Sequence, residues 1–491
     1  MSLEAILEQP FATLPDLVRR NARERPRHAA LVQEGRSLDY AGLDALMDRI
    51  AASLQREGVQ PRESVAICAP ASIEYAALFL GILRAGAVVA PISPSATPEA
   101  IDGMAQDSGA KLFFKEQELK ALGSLADAKP QPVEIKADWP FNIIYSSGTT
   151  GTPKGIVHSH LMRWVHIQRA GRLGYGADAV TLLSTPLYSN TTLVSFIPTL
   201  ALGGTAILMA KFDVRAYLEL AQEHRVTHTM LVPVQYQRFM DFPDFDRYDL
   251  SSFRIKRSTS APFRAEVKSE VVRRWPGKLI DSYGLTEGGG TCMLDCGAYP
   301  DKLHTVGKPA PGHVVKIIDP EGRELGPGAT GEIVGHSPAI MTGYHRQPEK
   351  TREAEWHDAE GRRYIRTGDV GRFDEDGFLV LTDRKKDMII SGGFNIYPSD
   401  LEAVLKENES VSEASVVGVP SAQWGETPVA FVVLKKKISS EELLAWANAR
   451  LGKTQRISEL RIIDALPRSP IGKVLKRELR DRFGKSGSVT D

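Results

Sequence analysis

Between Ile143 and His160 the chain reads IIYSSGTTGTPKGIVHSH. Apolar β-forming residues (Ile143, Ile144, Tyr145) run into a turn of small and hydroxylated ones: Ser146, Ser147, Gly148, Thr149, Thr150, Gly151 and Thr152. Gly148 and Gly151 open backbone geometries closed to larger residues, so successive N–H groups can converge on an anion. The five hydroxyls and Lys154 add donors and charge. Such a stretch suits a polyphosphate. It is not a Walker A loop, because Pro153 precedes Lys154 and Gly155 follows it, where that loop needs Gly-Lys-Ser/Thr opening a helix. The alternative is a polar hairpin turn with no ligand.

Two further stretches offer complementary chemistry. In Asp281–Glu287 (DSYGLTE), a strand over 278–282 is expected to deliver Tyr283 into a glycine-containing turn, where its ring can cover a purine. Glu287 is a hard oxygen ligand suited to Mg²⁺, with a hydroxyl near Ser146 as its neighbour. In Arg366–Asp369 (RTGD), a carboxylate follows a tight glycine turn. Asp369 can accept from two hydroxyls and so suits a ribose diol.

Tyr145–Gly155 resembles the phosphate loop of the adenylate-forming superfamily, which includes acyl- and aryl-CoA ligases, luciferases and peptide-synthetase adenylation domains. Further motifs follow in that family's order: Ser258–Pro262 (STSAP), DSYGLTE, RTGD, Asp383–Asp387 (DRKKD) and Arg468–Lys476 (RSPIGKVLK). The resemblance extends from about Leu38 to Lys476. It implies ATP-dependent activation of a carboxylic acid as an acyl-adenylate, then thioester formation with coenzyme A. Lys473 is then the catalytic lysine, working with Glu287 and Lys154. The nucleotide is held by Ser146, Ser147, Gly148, Thr149, Thr150, Gly151, Lys154, Ser260, Asp281, Tyr283, Thr286, Asp369, Arg384 and Lys473, and the metal by Glu287 and Ser146.

Lys386 falls at the family's pivot. Gly392 and Gly393 would leave a narrow path for pantetheine, and Trp424 is a further candidate contact to coenzyme A. Tyr188 and Ser189 occupy the place where many relatives have an aromatic-histidine pair beside the acyl tunnel. With Gly288, Gly289 and Gly290, whose missing side chains suggest space, they imply a roomy pocket for an aryl, phenylpropenoyl or medium-chain acid. The departure at Ser189 puts any role of that histidine in doubt.

These residues need a scaffold. Apolar residues at helical spacing mark helices over 14–23, 40–57, 71–85 and 161–171, with strands over 64–69, 86–92, 111–114 and 180–184. This βαβ-like alternation predicts a parallel sheet covered by helices. From Val306 short strands and Gly/Pro turns predict a small β-rich subdomain. The last hundred residues predict a small α+β domain: a helix over 399–406, capped by Ser399 with Glu402 completing a capping box, strands over 413–419 and 429–434, and a helix over 440–451 capped by Ser439 or Ser440. The expected architecture is an α/β large domain (1–383), a hinge (384–387) and a mobile C-terminal domain (388–491).

At 491 residues the chain exceeds the ~250–300 at which single cores stop growing, which fits more than one domain. Acidic and basic side chains balance at 61 each, so no overall field draws nucleic acid or an anionic membrane. No stretch is apolar and long enough for a bilayer span, and the N-terminus lacks a secretory pattern. Cys68, Cys292 and Cys296 form neither a disulfide framework nor a zinc cluster, which fits a reducing cytoplasm. A homodimer is left open. Two alternatives stand beside the ligase reading: an acyl-adenylate ligase loading a carrier-protein thiol, and a non-catalytic nucleotide-binding module.

Overall fold

The computed structural model describes residues 2–146, 154–384, 387–391, 394–421, 424–452, 455–469 and 472–486. Ser147 to Gly151, Lys386, Gly392 and Gly393 therefore lie outside the described residues. The chain divides into two compact units, one of residues 1–315 and 335–365, the other of 316–334 and 366–491.

The larger unit holds two sheets. A nine-stranded sheet runs, in order, through Lys308–Pro309, Gly288–Asp295, Lys278–Leu285, Ile255–Ser258, His228–Leu231, Val180–Leu183, Thr205–Leu208, Ala29–Gln33 and Arg36–Asp39. Its centre is parallel, and the antiparallel hairpin Lys278–Leu285/Gly288–Asp295 closes toward one edge. A six-stranded sheet runs through Gly343–Tyr344, Lys154–Ser159, Pro140–Ser146, Val88–Pro91, Ser64–Cys68 and Leu112–Lys115.

Between the expected strands, short polar residues start the helices. Ser72 accepts from Tyr75 N at 3.0 Å ahead of Ile73–Arg84, and Ser159 from Met162 N at 3.1 Å ahead of His160–Arg172. Every residue of Ile73–Arg84 except Glu74 is buried, so the helix packs on all sides and not along one face only. Its buried charge, Arg84, is neutralised by Asp44 at 2.6 Å and Asp48 at 2.8 Å. The main core gathers Leu31, Met47, Ile50, Phe79, Leu183 and Phe196.

In the smaller unit, residues 369–373 of the strand Arg363–Phe373 pair with Leu379–Arg384, placing Asp369 opposite Arg384. A further sheet orders Phe394–Ile396, Ile389–Ser391, Gly425–Leu434 and Val411–Ser421, with Glu459–Ile462 parallel to Gly425–Leu434. Alternation along its strands feeds two cores. Val416 and Val432 join Leu401, Leu405 and Leu443 on one face, while Val417 and Phe431 meet Leu466 and Leu479 on the other.

Two local expectations are corrected. The strand expected over 278–282 continues to Leu285, because its hairpin partner keeps pairing up to Leu285↔Gly288. The capping box at Ser399 and Glu402 does not form. The helix is Pro398–Lys406 with Tyr397 at its N-cap, Ser399 Oγ donates to Thr382 O, and Glu402 accepts from Val416 N at 2.8 Å and pairs with Lys476 at 2.9 Å. Tertiary partners outcompete the local cap. Ser439 does cap Ser440–Asn448, accepting from Glu442 N at 3.1 Å.

No helix among the described residues is long and apolar enough to cross a membrane. Cys68, Cys292 and Cys296 are all buried and unpaired.

Candidate active site

The strands Pro140–Ser146 and Lys154–Ser159 are antiparallel neighbours, with Ser146 registered against Lys154. Lys154 thus stands where the chain re-enters the sheet from the hydroxyl-rich turn. On the other side of its strand, Tyr344 is registered against Ile156. The Lys154 ammonium lies 4.9 Å from the centre of the Tyr344 ring, and the Tyr344 hydroxyl donates to Glu287 Oε1 at 3.0 Å. One aromatic side chain thereby fixes both the expected phosphate lysine and the expected metal carboxylate. Burial, then the Glu287 charge, pushes the Tyr344 hydroxyl well above its usual range, so it remains a donor. Tyr344 was missed in the sequence because nothing in its own surroundings marks it.

A buried polar network lies beneath this group. His158 Nε2 donates to the carbonyl of Thr286 at 2.7 Å, and its Nδ1 accepts from Arg163 at 2.8 Å. Arg163 also donates to Asn142 Oδ1 at 2.8 and 3.0 Å and to Asn190 Oδ1 at 2.9 Å. Burial, then the Arg163 charge, holds His158 well below the usual imidazole range, fixing a neutral ring that ties the Thr286 turn to the strand carrying Lys154. This network, too, was not legible from the sequence.

Ser260 takes φ of 81°, a left-handed conformation unusual for a side chain larger than glycine's, and its hydroxyl meets Thr191 Oγ1 at 2.7 Å. Tyr283 is partly exposed and registered against Cys292. Ser189 caps the helix Asn190–Ala201, its Oγ accepting from Thr191 N at 3.3 Å, and Tyr188 precedes it partly exposed.

The Asp281 carboxylate pairs with Lys268 at 2.7 Å, both side chains being buried, and Lys268 also donates to Leu303 O and Thr305 O. The Asp281 carboxylate therefore anchors the helix Ala265–Arg274 to its strand. Gly288, Gly289 and Gly290 do not open space as expected. Gly288 has φ of 80°, and a Cβ there would lie 1.9 Å from Ala339 O; at Gly289 (φ 83°) it would lie 2.8 Å from Gly335 O, and at Gly290 2.4 Å from Val315. Close backbone approach requires these glycines, and the room expected beside them is filled.

In the smaller unit, Asp369 is buried in the strand Arg363–Phe373, its N–H donating to Thr367 Oγ1 at 3.0 Å. Lys473 sits on a tight loop: its N–H donates to Ser469 Oγ at 3.2 Å, its carbonyl accepts from Ser469 N at 2.8 Å, and Gly472 supplies φ of 78°. Arg468 clasps the loop through Gly472 O at 2.8 Å. Trp424 is 51% exposed.

A helix-covered sheet with a parallel centre in one unit, and a smaller unit of strands and helices after it, are the architecture of adenylate-forming enzymes. The model of the AMP-binding enzyme family matches residues 18–345 and that of the AMP-binding enzyme C-terminal domain residues 400–473, so the chain belongs to this family, as an AMP-forming acid–thiol ligase. It is 34% identical to a feruloyl-CoA synthase from an Amycolatopsis species, covering 95% of this chain and 98% of that one. It is 32% identical to the fatty acid–[acyl-carrier-protein] ligase ScoC of Streptomyces coeruleorubidus, covering 94% and 95%. The ATP-bound structure of MatB from Rhodopseudomonas palustris superimposes with a TM-score of 0.84 at 29% identity, over 96% of this chain and 99% of that one.

Proposed function

We propose that the chain activates an aryl, phenylpropenoyl or medium-chain acid and passes it to the thiol of free coenzyme A. A carboxylate is a poor acyl donor because its leaving group would be oxide; a mixed anhydride with AMP removes that obstacle. The remaining difficulty is the approach of two anions. The observation that carries the reading is the Lys154–Tyr344–Glu287 assembly at the mouth of the phosphate turn.

Lys154 holds the departing pyrophosphate, and Lys473 bridges the acid carboxylate and the α-phosphate. Asp369 accepts from the ribose hydroxyls, with Arg384 on the facing strand. Glu287 and Ser146 would hold Mg²⁺, which when bound neutralises phosphate oxygens. Thiolysis needs a different surface at the same centre. Rotation about Lys386 would withdraw Lys473 and present Gly392, Gly393 and the exposed Trp424 ring to pantetheine. The feruloyl-CoA relative supports an aromatic acid and free coenzyme A, while the carrier-protein relative supports the second acceptor. Three buried thiols without a disulfide support a reducing cytoplasm.

Purified protein given Mg²⁺, ATP and a panel of acids should release pyrophosphate, with thioester accumulating only when coenzyme A is added. Pyrophosphate release with no acid would overturn activation; thioester only on a carrier protein would move the reading to that acceptor. Sedimentation tests the homodimer.

A further inference from the structure

Beyond the nucleotide residues, the larger unit buries an excess of positive charge. Along one face of the helix His160–Arg172, Arg163, His166 and Arg169 recur at three-residue spacing. The strand Ile255–Ser258 contributes Arg257, 3% exposed, against the Tyr175 hydroxyl and with its Nε lacking any hydrogen-bond partner. Arg163 is met only by neutral acceptors. Arg169 is close enough to Arg257 to be repelled by it, and among the described residues its guanidinium has neither a hydrogen bond nor an ion pair.

Elsewhere this protein satisfies its buried cations: Arg84 has two aspartates, Lys268 has Asp281, and Lys256 donates to three carbonyls. Leaving Arg163, Arg169 and Arg257 without a carboxylate is costly, since each desolvated ion loses several kcal/mol. Arg169 is only partly buried, so its guanidinium keeps access to solvent and to a small anion.

The cluster adjoins the elements read as the acid pocket. Arg163 reaches Asn190, next to Ser189, and Arg169 on the same helix faces His313.

The geometry points to an acid with a second carboxylate at its far end, received by Arg169 with Arg257 beside it, while the near carboxylate reacts. This inference rests on the acid-activation reading above and names the class of substrate.

The test uses the full-length enzyme with Mg²⁺, ATP and matched acids: hexanoate to decanoate against their α,ω-dicarboxylates, and cinnamate against 4-carboxycinnamate. For at least one pair, kcat/KM should favour the diacid tenfold or more, as a charge-assisted contact provides. R169M should bring that ratio close to one and, by removing an uncompensated cation, leave Tm equal or higher. The preferred diacid, without ATP, should raise the Tm of the wild type and not of R169M. Monoacids used as well as or better than diacids, or an R169M effect equal on both members of a pair, would overturn the proposal. Pyrophosphate release with no acid would instead defeat the activation reading, and diacid-dependent Tm shifts would still decide the anion subsite.

Discussion

Lys473 and Tyr344 are the side chains on which the chemistry can be separated from the fold. In the Lys473 loop the Lys473 N–H and carbonyl bond to Ser469 and Arg468 bonds to Gly472 O, contacts that K473A keeps. K473A should therefore lower acid-dependent ATP/pyrophosphate exchange on the order of 100-fold or more. It should spare thioester formation from a supplied acyl-adenylate; equal loss in both half-reactions would contradict the role. Tyr344→Phe keeps the ring beneath Lys154 and deletes only the hydrogen bond to Glu287. Loss of a bond to a charged acceptor costs about 1.5–3 kcal/mol, so kcat/KM for Mg-ATP should fall roughly ten- to a hundredfold. Unchanged kinetics would reduce Tyr344 to packing. At this scale the sequence exposes residues that lie together in one motif, such as Lys154 and Glu287 with its turn. It conceals Tyr344, which lies 57 residues beyond Glu287 and meets it only because the short strand Gly343–Tyr344 pairs with Lys154–Ser159. The Asp281–Lys268 pair is hidden for the same reason: Lys268 comes from a neighbouring helix that no local motif announces.

Among elements, the hairpin Lys278–Leu285/Gly288–Asp295 shows how a run of glycines can mislead. In the sequence, three absent side chains suggest room, whereas here they admit neighbouring backbone. Gly288→Ala combines a left-handed φ with a Cβ 1.9 Å from Ala339 O. It should cost roughly 2–4 kcal/mol, read as a lower urea midpoint for the larger unit, and should displace Glu287 enough to depress adenylation. A variant of wild-type stability would show that the hairpin can shift and that the close approach is not required. The cap at Ser439 was legible because it stands just ahead of residues at helical spacing. The Ser399 cap was not, because a hydroxyl offered Thr382 O by the fold no longer serves its own helix. Local pattern predicts an element's existence better than the partner of its first residue.

Across the whole larger unit, four buried histidines, His158, His160, His166 and His228, are held below their ordinary range chiefly by burial, His160 and His228 at about 4. The unfolded chain protonates each near pH 6.5, while the folded protein resists until much lower pH. Their stabilisation is therefore complete above about pH 6.5 and is lost as pH falls toward 4, each histidine adding a slope of about 1.4 kcal/mol per pH unit. Denaturant midpoints of the larger unit should drop steeply between pH 6.5 and 5, a window above the titration of ordinary carboxylates. A flat profile there would mean that these rings are charged or hydrated in the native state.

The three thiols offer a practical consequence of their position. Cys292 and Cys296 are almost wholly enclosed and Cys68 nearly so, and burial raises all three above the reactivity of a free thiol. An aromatic disulfide reagent added to the native enzyme should thus colour only with the sulfhydryl of unreacted coenzyme A. Acyl transfer could then be followed as the disappearance of that colour, without a background from the catalyst.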